Sequence, residues 1–204
     1  MTVAVTGPFA SGKSTFVDIL DELGAETVSA DEIVHDLLAE SQETIAQVVV
    51  RFGEDILGGR GVDRRALGRK VFGDPEALQD LEGILHPLVR RETDRRMAAS
   101  DADLFVAEIP LLFEGKHNGT FDYTVAVVVP KERRVAWAAG RGVDEAELRA
   151  IEARQLSQEE KARRADVVIR NDGGLDKLRK QAEELRGRIS QERGQRGSVR
   201  QQET

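Results

Sequence analysis

The feature that most constrains the fold of this 204-residue chain is the segment at residues 7–14, which has the pattern G-x-x-x-x-G-K-S. A short β-favouring run at residues 3–6 precedes it, and apolar residues at helical spacing follow it as far as Gly24. Glycines at both ends let the backbone curve around an anion without Cβ clashes, and the first N–H groups of the helix point at that anion. A strand, a glycine loop and a helix in this order predict a phosphate-binding loop.

The residues of this loop have separate expected roles. Lys13 supplies a mobile positive charge, and Ser14 carries a hydroxyl that can ligate Mg²⁺ directly. We therefore expect the chain to bind ATP together with Mg²⁺. The predicted ATP contacts within the loop are Ala10, Ser11, Gly12, Lys13, Ser14 and Thr15.

Segments typical of strands alternate with segments typical of helices along the rest of the chain. Further strands are expected at residues 27–29, 104–107, 123–129 and 167–169, the last two of them buried. Later helices are expected at residues 131–139, 144–161 and 176–189. Because this alternation is typical of a parallel sheet, the predicted fold class is α/β, a three-layer P-loop NTPase fold.

The stretch between residues 41 and 100 differs because it contains no convincing strand. Helical pieces are expected at residues 44–52, 64–72 and 75–97, with Pro87 kinking or splitting the last. We interpret this stretch as a helical, substrate-binding insertion within a single domain of residues 1–193. The tail at 194–204 consists mainly of Gln, Arg, Gly and Ser, and it is predicted to be disordered.

Composition excludes several classes of partner and site. The 30 basic and 37 acidic residues give a net charge of −7, which argues against nucleic acid, and nine aromatic residues are few for base stacking. The absence of cysteine excludes a disulfide framework and a thiolate metal site. No run approaches the ~20 apolar residues that cross a bilayer, and we expect no leader peptide before the loop. We expect a cytoplasmic monomer or weak homo-oligomer with no membrane partner.

A phosphate loop in a chain of this size leaves a few function classes. A switch GTPase would need the guanine-reading sequence N-K-x-D, which does not occur, and a large motor ATPase would need a longer chain. A helical insertion and an arginine-rich later half are typical of small-molecule kinases, in which a flap and a lid close over two substrates. A nucleoside or nucleoside-monophosphate kinase and a nucleotide-dependent regulatory switch are the alternatives.

Further segments give a more specific resemblance. They read SAD at 29–31, FGEDIL at 52–57, VDRRAL at 62–67, VF at 71–72, LEGILHP at 81–87, EIPLLFE at 108–114 and ADVVIRNDG at 165–173. Together they resemble the dephospho-CoA kinase family over roughly residues 2–182. The resemblance implies ATP-dependent phosphorylation of the ribose 3′-hydroxyl of dephospho-CoA, the last step of coenzyme A synthesis. It also implies a CoA-binding helical domain and a lid at about residues 138–160.

The chain departs from the pattern of that family at three places. Ser29 stands where the family usually has the first Asp of Asp-Ala-Asp, whereas the second is present as Asp31. Pro8, Phe9 and Ala10 stand in a loop that usually begins Gly-Gly-Ile-Gly. Proline removes one backbone N–H, but at a position before the amides that surround the phosphates, so activity is expected to be retained. The lid also has about one residue fewer than usual.

The resemblance assigns catalytic roles to three residues. Asp31 would deprotonate the ribose hydroxyl and help to order Mg²⁺ through water, and Lys13 and Arg141 would neutralise the transferred phosphoryl group. Asp31 could instead be a helix N-cap. Arg141 is flanked by glycines that suit a mobile lid, but other arginines compete for its role, namely Arg133, Arg134, Arg149 and Arg154.

The remaining expected contacts also follow from the resemblance. Asn171 would lie near the adenine, although an Asn-Asp-Gly turn explains it as well. The substrate-binding residues would be Thr6, Asp31, Arg64 and His86, with Asp63 in the same acceptor-side motifs and Glu108 a candidate for indirect Mg²⁺ contact. A surface salt bridge is the alternative for Arg64, and capping of a broken helix is the alternative for His86. The other histidines, His35 and His117, are expected to be surface residues.

Overall fold

The structure is a computed structural model that describes residues 1–115 and 120–202, with side chains described as far as residue 195. The chain divides into two compact units. The first comprises Met1–Thr27 and the chain from Ser100 onward, and the second comprises Val28–Ala99. The predicted insertion at 41–100 falls almost entirely within the second unit, which begins earlier than the sequence indicated. His117 lies outside the described residues.

The chain forms a parallel five-stranded sheet, most of which belongs to the first unit. Its strands are β1 (Thr2–Thr6), β2 (Glu26–Ser29), β3 (Phe105–Glu108), β4 (Tyr123–Val128) and β5 (Val167–Arg170), in the order β2-β3-β1-β4-β5. Val5 of the central strand lies opposite Glu108 on one side and Val125 on the other. This register brings the carboxyl ends of β1, β3 and β4 to one edge, where open α/β sheets bind their ligands.

Helices flank this sheet and make up most of the second unit. Those described are α1 (Lys13–Glu22), α2 (Ala30–Glu40), α3 (Gln42–Phe52), α4 (Arg64–Val71), α5 (Pro75–Ala99), α6 (Lys131–Gly140), α7 (Glu145–Glu152), α8 (Gln158–Arg164) and α9 (Leu175–Gln202). α1 and α9 bury Phe16, Leu20 and Leu178 in one core with the valines of β1 and β4. The α/β fold with a parallel sheet is therefore confirmed, and β4 is buried along its whole length as predicted.

β5 is less buried than its sequence suggested. Ile169 is its only buried residue, because β5 forms the edge of the sheet and has a neighbouring strand on one side only. The prediction of a buried strand at 167–169 is wrong in this respect. An apolar run can equally be a central strand or an edge strand covered on one face, and the sequence alone does not distinguish them.

Two helix boundaries also differ from the prediction. The single helix expected at 144–161 is two helices, because the Ser157 side chain accepts a hydrogen bond from the Glu160 N–H at 3.1 Å and starts α8 anew. α9 continues to Gln202, where the sequence predicted an end near Ile189 and a disordered tail from 194. That segment has no proline, and its Gln and Arg residues favour a helix.

The second unit has its own apolar core. α2, α3, α4 and α5 contribute Leu38, Val48, Leu67 and Leu81 to it, together with Ile56 from a short 3-10 helix at Glu54–Ile56. After β2, the only strand pairing among the described residues of this unit is an isolated antiparallel bridge between Leu57 and Val62. The expectation of a helical region is therefore confirmed.

Pro87 does not split α5, which is continuous from Pro75 to Ala99. The proline removes one backbone hydrogen bond, to the carbonyl of Gly83, and that glycine is exposed so the carbonyl can be hydrated. Leu85 and Leu88 remain buried on either side of it, so packing holds the helix together. Among the helices of the described chain, none combines the length and the apolar character needed to cross a membrane.

Candidate active site

The loop at residues 7–14 lies between β1 and α1, as its sequence predicted, and its glycines make close approaches possible. A Cβ on Gly7 would lie 2.5 Å from the carbonyl oxygen of Val127 in β4. Gly12 adopts φ +86°, and a Cβ there would lie 2.2 Å from Nδ2 of Asn171. Both positions therefore require glycine, one for contact with the sheet and the other for its left-handed backbone and its contact with Asn171.

The departures from the usual loop sequence have structural consequences. Ala10 has φ +58°, a strained conformation for a residue with a Cβ. Its methyl group is buried with Ala138 of α6 and Leu148 of α7, which offsets part of that strain. The carbonyl oxygen of Pro8 accepts hydrogen bonds from Ser11 N at 3.3 Å and from Lys13 Nζ at 3.1 Å. Proline thus loses a donor here, but its acceptor holds the loop together.

Asn171 is distant from the loop in sequence but contacts it in the fold. It is buried just beyond β5, and its Nδ2 donates to the backbone oxygen of Ser11 at 3.0 Å. The hydroxyl of Ser11 is itself buried and has no hydrogen-bond partner among the described side chains. The predicted contact residues Ser11, Gly12 and Asn171 are therefore assembled in one place.

Ser14 and Glu108 bring together two side-chain oxygen atoms that could hold a metal ion. Glu108 ends β3 and is buried, and its Oε1 lies 3.1 Å from Oγ of Ser14 at the start of α1. Hydroxyl and carboxylate oxygens are ligands that suit Mg²⁺, which commonly takes its other ligands from phosphates and water. The described residues contain no group of three or more His, Cys, Asp or Glu that could hold a metal by themselves. One hydroxyl and one carboxylate oxygen fit a metal ion that takes its remaining ligands from a nucleotide and water.

Arg141 follows α6 and lies beside the loop. Its guanidinium carbon is 5.9 Å from the centre of the Phe9 ring, within cation–π range. Three of its competitors bond elsewhere: Arg133 donates to the Gly173 carbonyl, Arg134 pairs with Glu152, and Arg149 pairs with Glu145. Of the arginines considered for this role, Arg141 is the one with a described side-chain contact to a residue of the phosphate loop.

A cavity of about 250 Å³ lies next to Pro8, between the start of α6 and the segment that joins α7 to α8. Nε of Arg134 and Oε1 of Gln155, both from residues that line it, are buried without hydrogen-bond partners among the described residues. A buried donor and a buried acceptor left unpaired are costly, so a polar occupant of this cavity would be stabilising.

The sequence did not predict a buried charge network behind the loop. Lys161 of α8 is fully buried, and its Nζ donates to the Pro110 carbonyl and to Oε1 of Glu114, both at 2.7 Å. The Pro110 carbonyl also accepts from Oγ1 of Thr6 at 3.0 Å, and Glu114 accepts from Leu156 N at 2.7 Å. Burial lowers the pKa of Lys161, whereas the hydrogen bond and charge of Glu114 raise it. The only sequence signal for this network was the EIPLLFE motif, which contains Glu114 but does not reveal that Lys161 is its partner.

Asp31 lies in the second unit, in the first turn of α2, and is exposed. The N-cap of α2 is Ser29, so the alternative that Asp31 is itself the N-cap is wrong. Another helix of this unit, α4, has an aspartate as its N-cap: Oδ1 of Asp63 accepts from the N–H groups of Arg65 and Ala66. These backbone hydrogen bonds lower the pKa of Asp63. Asp31 thus keeps a carboxylate that the local helix does not need as its cap.

Arg64 and His86 are also exposed and lie in the second unit, whereas the predicted substrate-binding residue Thr6 is buried in β1. Nη1 of Arg64 lies 3.4 Å from Nδ1 of His35, so its described neighbour is a histidine and not the carboxylate of a salt bridge. His35 follows Asp31 by four residues on α2, which places both on one helix face. His86 lies within the unbroken α5, so the interpretation that it caps a broken helix is wrong. Sequence reasoning missed the pairing of His35 with Arg64.

Comparison with known proteins gives consistent matches. A family model described as dephospho-CoA kinase matches residues 1–177. The dephospho-CoA kinase of Frankia casuarinae is 39% identical over 186 residues, covering 90% of this chain and 81% of that protein. The crystal structure of TT1252 from Thermus thermophilus has a TM-score of 0.77 at 36% identity, covering 92% of this chain and 97% of that one. Dephospho-CoA kinase from Campylobacter jejuni has a TM-score of 0.63 at 27% identity, with 92% and 96% covered.

Proposed function

Because this chain belongs to the dephospho-CoA kinase family, which phosphorylates dephospho-CoA in the last step of CoA biosynthesis, we propose that it transfers the γ-phosphoryl group of ATP to the ribose 3′-hydroxyl. The observation that supports this best is the assembled loop, in which Asn171 bonds to Ser11 and Ser14 meets Glu108. The family name implies a kinase, and the loop supplies the backbone donors and the lysine that a nucleoside triphosphate requires.

On the nucleotide side, the loop amides from Ala10 to Thr15 would bind the phosphates, and Lys13 would neutralise their charge. Mg²⁺ would be held by Ser14 Oγ directly and by Glu108 either directly or through water, and it would supply positive charge to the phosphate oxygens. Arg141 would approach the transferred group from the segment at about 138–160, which we propose as the lid. The contact of Arg141 with Phe9 supports this role, because it keeps the guanidinium at the loop.

On the acceptor side, Asp31 would accept the proton of the 3′-hydroxyl as its oxygen bonds to the γ-phosphorus. The bond from that phosphorus to the β,γ-bridging oxygen then breaks, and ADP leaves. Arg64 would bind acceptor phosphates, with His35 as its neighbour. Thr6 and His86 complete the proposed substrate contacts. A cytoplasmic location and a monomeric or weakly oligomeric state remain predictions from the sequence.

The test offers dephospho-CoA, adenosine and nucleoside monophosphates in turn with ATP and Mg²⁺, follows ADP release, and locates the new phosphate by NMR. We expect turnover with dephospho-CoA and phosphorylation at the 3′ position. Asp31→Asn should lower kcat by at least about 10²-fold while the affinity for ATP stays close to that of the wild type. Rapid turnover with a nucleoside monophosphate and none with dephospho-CoA would refute the proposed activity. A near-normal kcat in Asp31→Asn would refute the proposed role of Asp31.

A further inference from the structure

Trp137 is the only tryptophan of the chain, and it lies beside the phosphate loop. A Cβ on Gly12 would be 3.9 Å from Cζ3 of its indole and 2.2 Å from Nδ2 of Asn171. The indole, the Asn171 amide and Gly12 therefore converge at the start of α1. None of the roles proposed above uses Trp137.

Contacts of two neighbouring residues position the part of α6 that carries this indole. The next residue, Ala138, is buried against Ala10 of the loop. One turn earlier, Nη1 of Arg133 donates to the carbonyl of Gly173 at 2.5 Å, in the turn that follows Asn171. Residues four apart share a helix face, so Arg133 and Trp137 face the same side of α6. These contacts place the backbone that carries Trp137 beside the loop.

Trp137 is nevertheless 38% exposed, so part of its ring surface is open to a ligand. A nucleotide whose phosphates occupy the loop must place its base within reach of the surrounding residues. Bases stack on aromatic rings because every base has a π-face, and indole offers the largest such surface among side chains. The exposed part of Trp137 has the chemistry and the position that a base requires.

We propose that Trp137 is the stacking surface for the adenine of the nucleotide held by the phosphate loop. This inference rests on the proposed function, because it needs ATP or ADP at that loop. It assigns Trp137 to the donor nucleotide and not to the adenine of dephospho-CoA, since Gly12 and Asn171 belong to the nucleotide side. Trp137 would bind the base without touching the reacting atoms.

Fluorescence provides a direct test, because all tryptophan emission comes from this one side chain. The full-length protein is titrated with Mg·ADP, with Mg·tripolyphosphate, which has phosphates and no base, and with dephospho-CoA alone. We expect ADP to quench the emission, and tripolyphosphate to displace ADP without quenching. Dephospho-CoA alone should leave the emission unchanged. The proposal would be overturned if tripolyphosphate quenched the emission as much as ADP does, or if dephospho-CoA alone quenched it. It would also be overturned if the emission did not change while calorimetry showed that ADP binds.

Calorimetry on variants separates stacking from a merely structural role. Trp137→Ala should weaken ADP binding about 5- to 150-fold, the range expected for loss of one base–aromatic stack, with tripolyphosphate affinity unchanged. Trp137→Phe should retain most of the affinity. Leu175→Ala, a matched control that truncates another exposed apolar side chain of the same unit, should bind both ligands as the wild type does.

The outcomes for this inference and for the proposed function can be told apart. If Trp137→Ala binds ADP as tightly as the wild type, or loses ADP and tripolyphosphate equally, the inference fails while the proposed kinase activity stands. If wild-type protein binds no adenine nucleotide, the proposed function fails and the inference fails with it.

Discussion

Lys161→Met would remove a charge that the first unit buries completely. The methionine keeps most of the length and apolar character of the lysine stem, so the change affects mainly the ammonium group. In the wild type that ammonium bonds to the Pro110 carbonyl and to Glu114, and Glu114 also accepts from Leu156 N. The substitution leaves the carboxylate of Glu114 without its cation.

The structure predicts different costs for the two sides of this ion pair. Breaking a buried pair from one side costs about 3–5 kcal/mol, because the other charge stays buried. The Glu114 side chain is 18% exposed and keeps the Leu156 N–H, so hydration limits the cost of Lys161→Met to about 2–3 kcal/mol. Glu114→Gln leaves an ammonium that is 0% exposed, so its cost should be about 3–5 kcal/mol. The pKa of Lys161 should also fall further in Glu114→Gln, because the group that raises it is gone.

Urea unfolding at pH 7 measures these free energies of unfolding. The double variant Lys161→Met/Glu114→Gln should be more stable than the sum of the single losses predicts, since neither charge remains unpaired. Arg149→Met is the matched control, because it breaks an exposed pair with Glu145 and should cost under about 1 kcal/mol. A loss below about 1 kcal/mol for Lys161→Met, or a Glu114→Gln variant at least as stable as Lys161→Met, would refute this reasoning.

Two further predictions concern the loop and the second unit. Gly12→Ala should lower the free energy of unfolding by about 2–3 kcal/mol and weaken ADP binding, because alanine is strained at φ +86° and its Cβ displaces the Asn171 amide. Thermal unfolding and calorimetry check this, and a loss below about 1 kcal/mol would contradict it. Hydrogen bonds from Arg95, and then from Arg96, lower the pKa of Glu92 from 4.5 to about 2, so its stabilisation is present above pH 4.5 and is lost as the pH falls toward 2. The free energy of unfolding of the wild type should exceed that of Glu92→Gln by at most about 3 kcal/mol near pH 6. Solvent screening at the exposed Arg95 reduces this difference, which should shrink further as the pH falls. Urea unfolding at several pH values measures it, and a pH-independent difference would count against the assignment.

Local sequence patterns predicted much of the fold. The alternation of strands and helices, the helical region and the loop all depend on periodicity and on glycine positions, which act over short distances. The errors arose where tertiary context decides. Ser157 caps the start of a new helix where periodicity would continue the earlier one, α5 tolerates Pro87 because its flanking leucines stay buried, and β5 lies at an edge that no local pattern marks.

In the candidate site too, local motifs could be predicted from the sequence, whereas contacts between distant residues could not. The loop motif predicted the positions of Lys13 and Ser14, and the motif at 165–173 drew attention to Asn171. The bonds between Lys161 and Glu114 and between Arg64 and His35 join residues 47 and 29 positions apart, and spacing alone cannot pair such residues. Trp137 was missed because a single aromatic on a helix is usually part of a core, and its position beside Gly12 is visible only in the fold.

The hydrogen bond from Asn171 to Ser11 also bears on the order in which the site can form during synthesis. It joins residues 160 positions apart, and β5, which carries Asn171 into place, is the last strand of the sheet to be made. A nascent chain that ends before this point contains the whole glycine loop but lacks the side chain that closes it. The loop therefore leaves the ribosome well before the strand that completes it, and a partly made chain that lacks Asn171 should not yet bind nucleotide as the finished protein does.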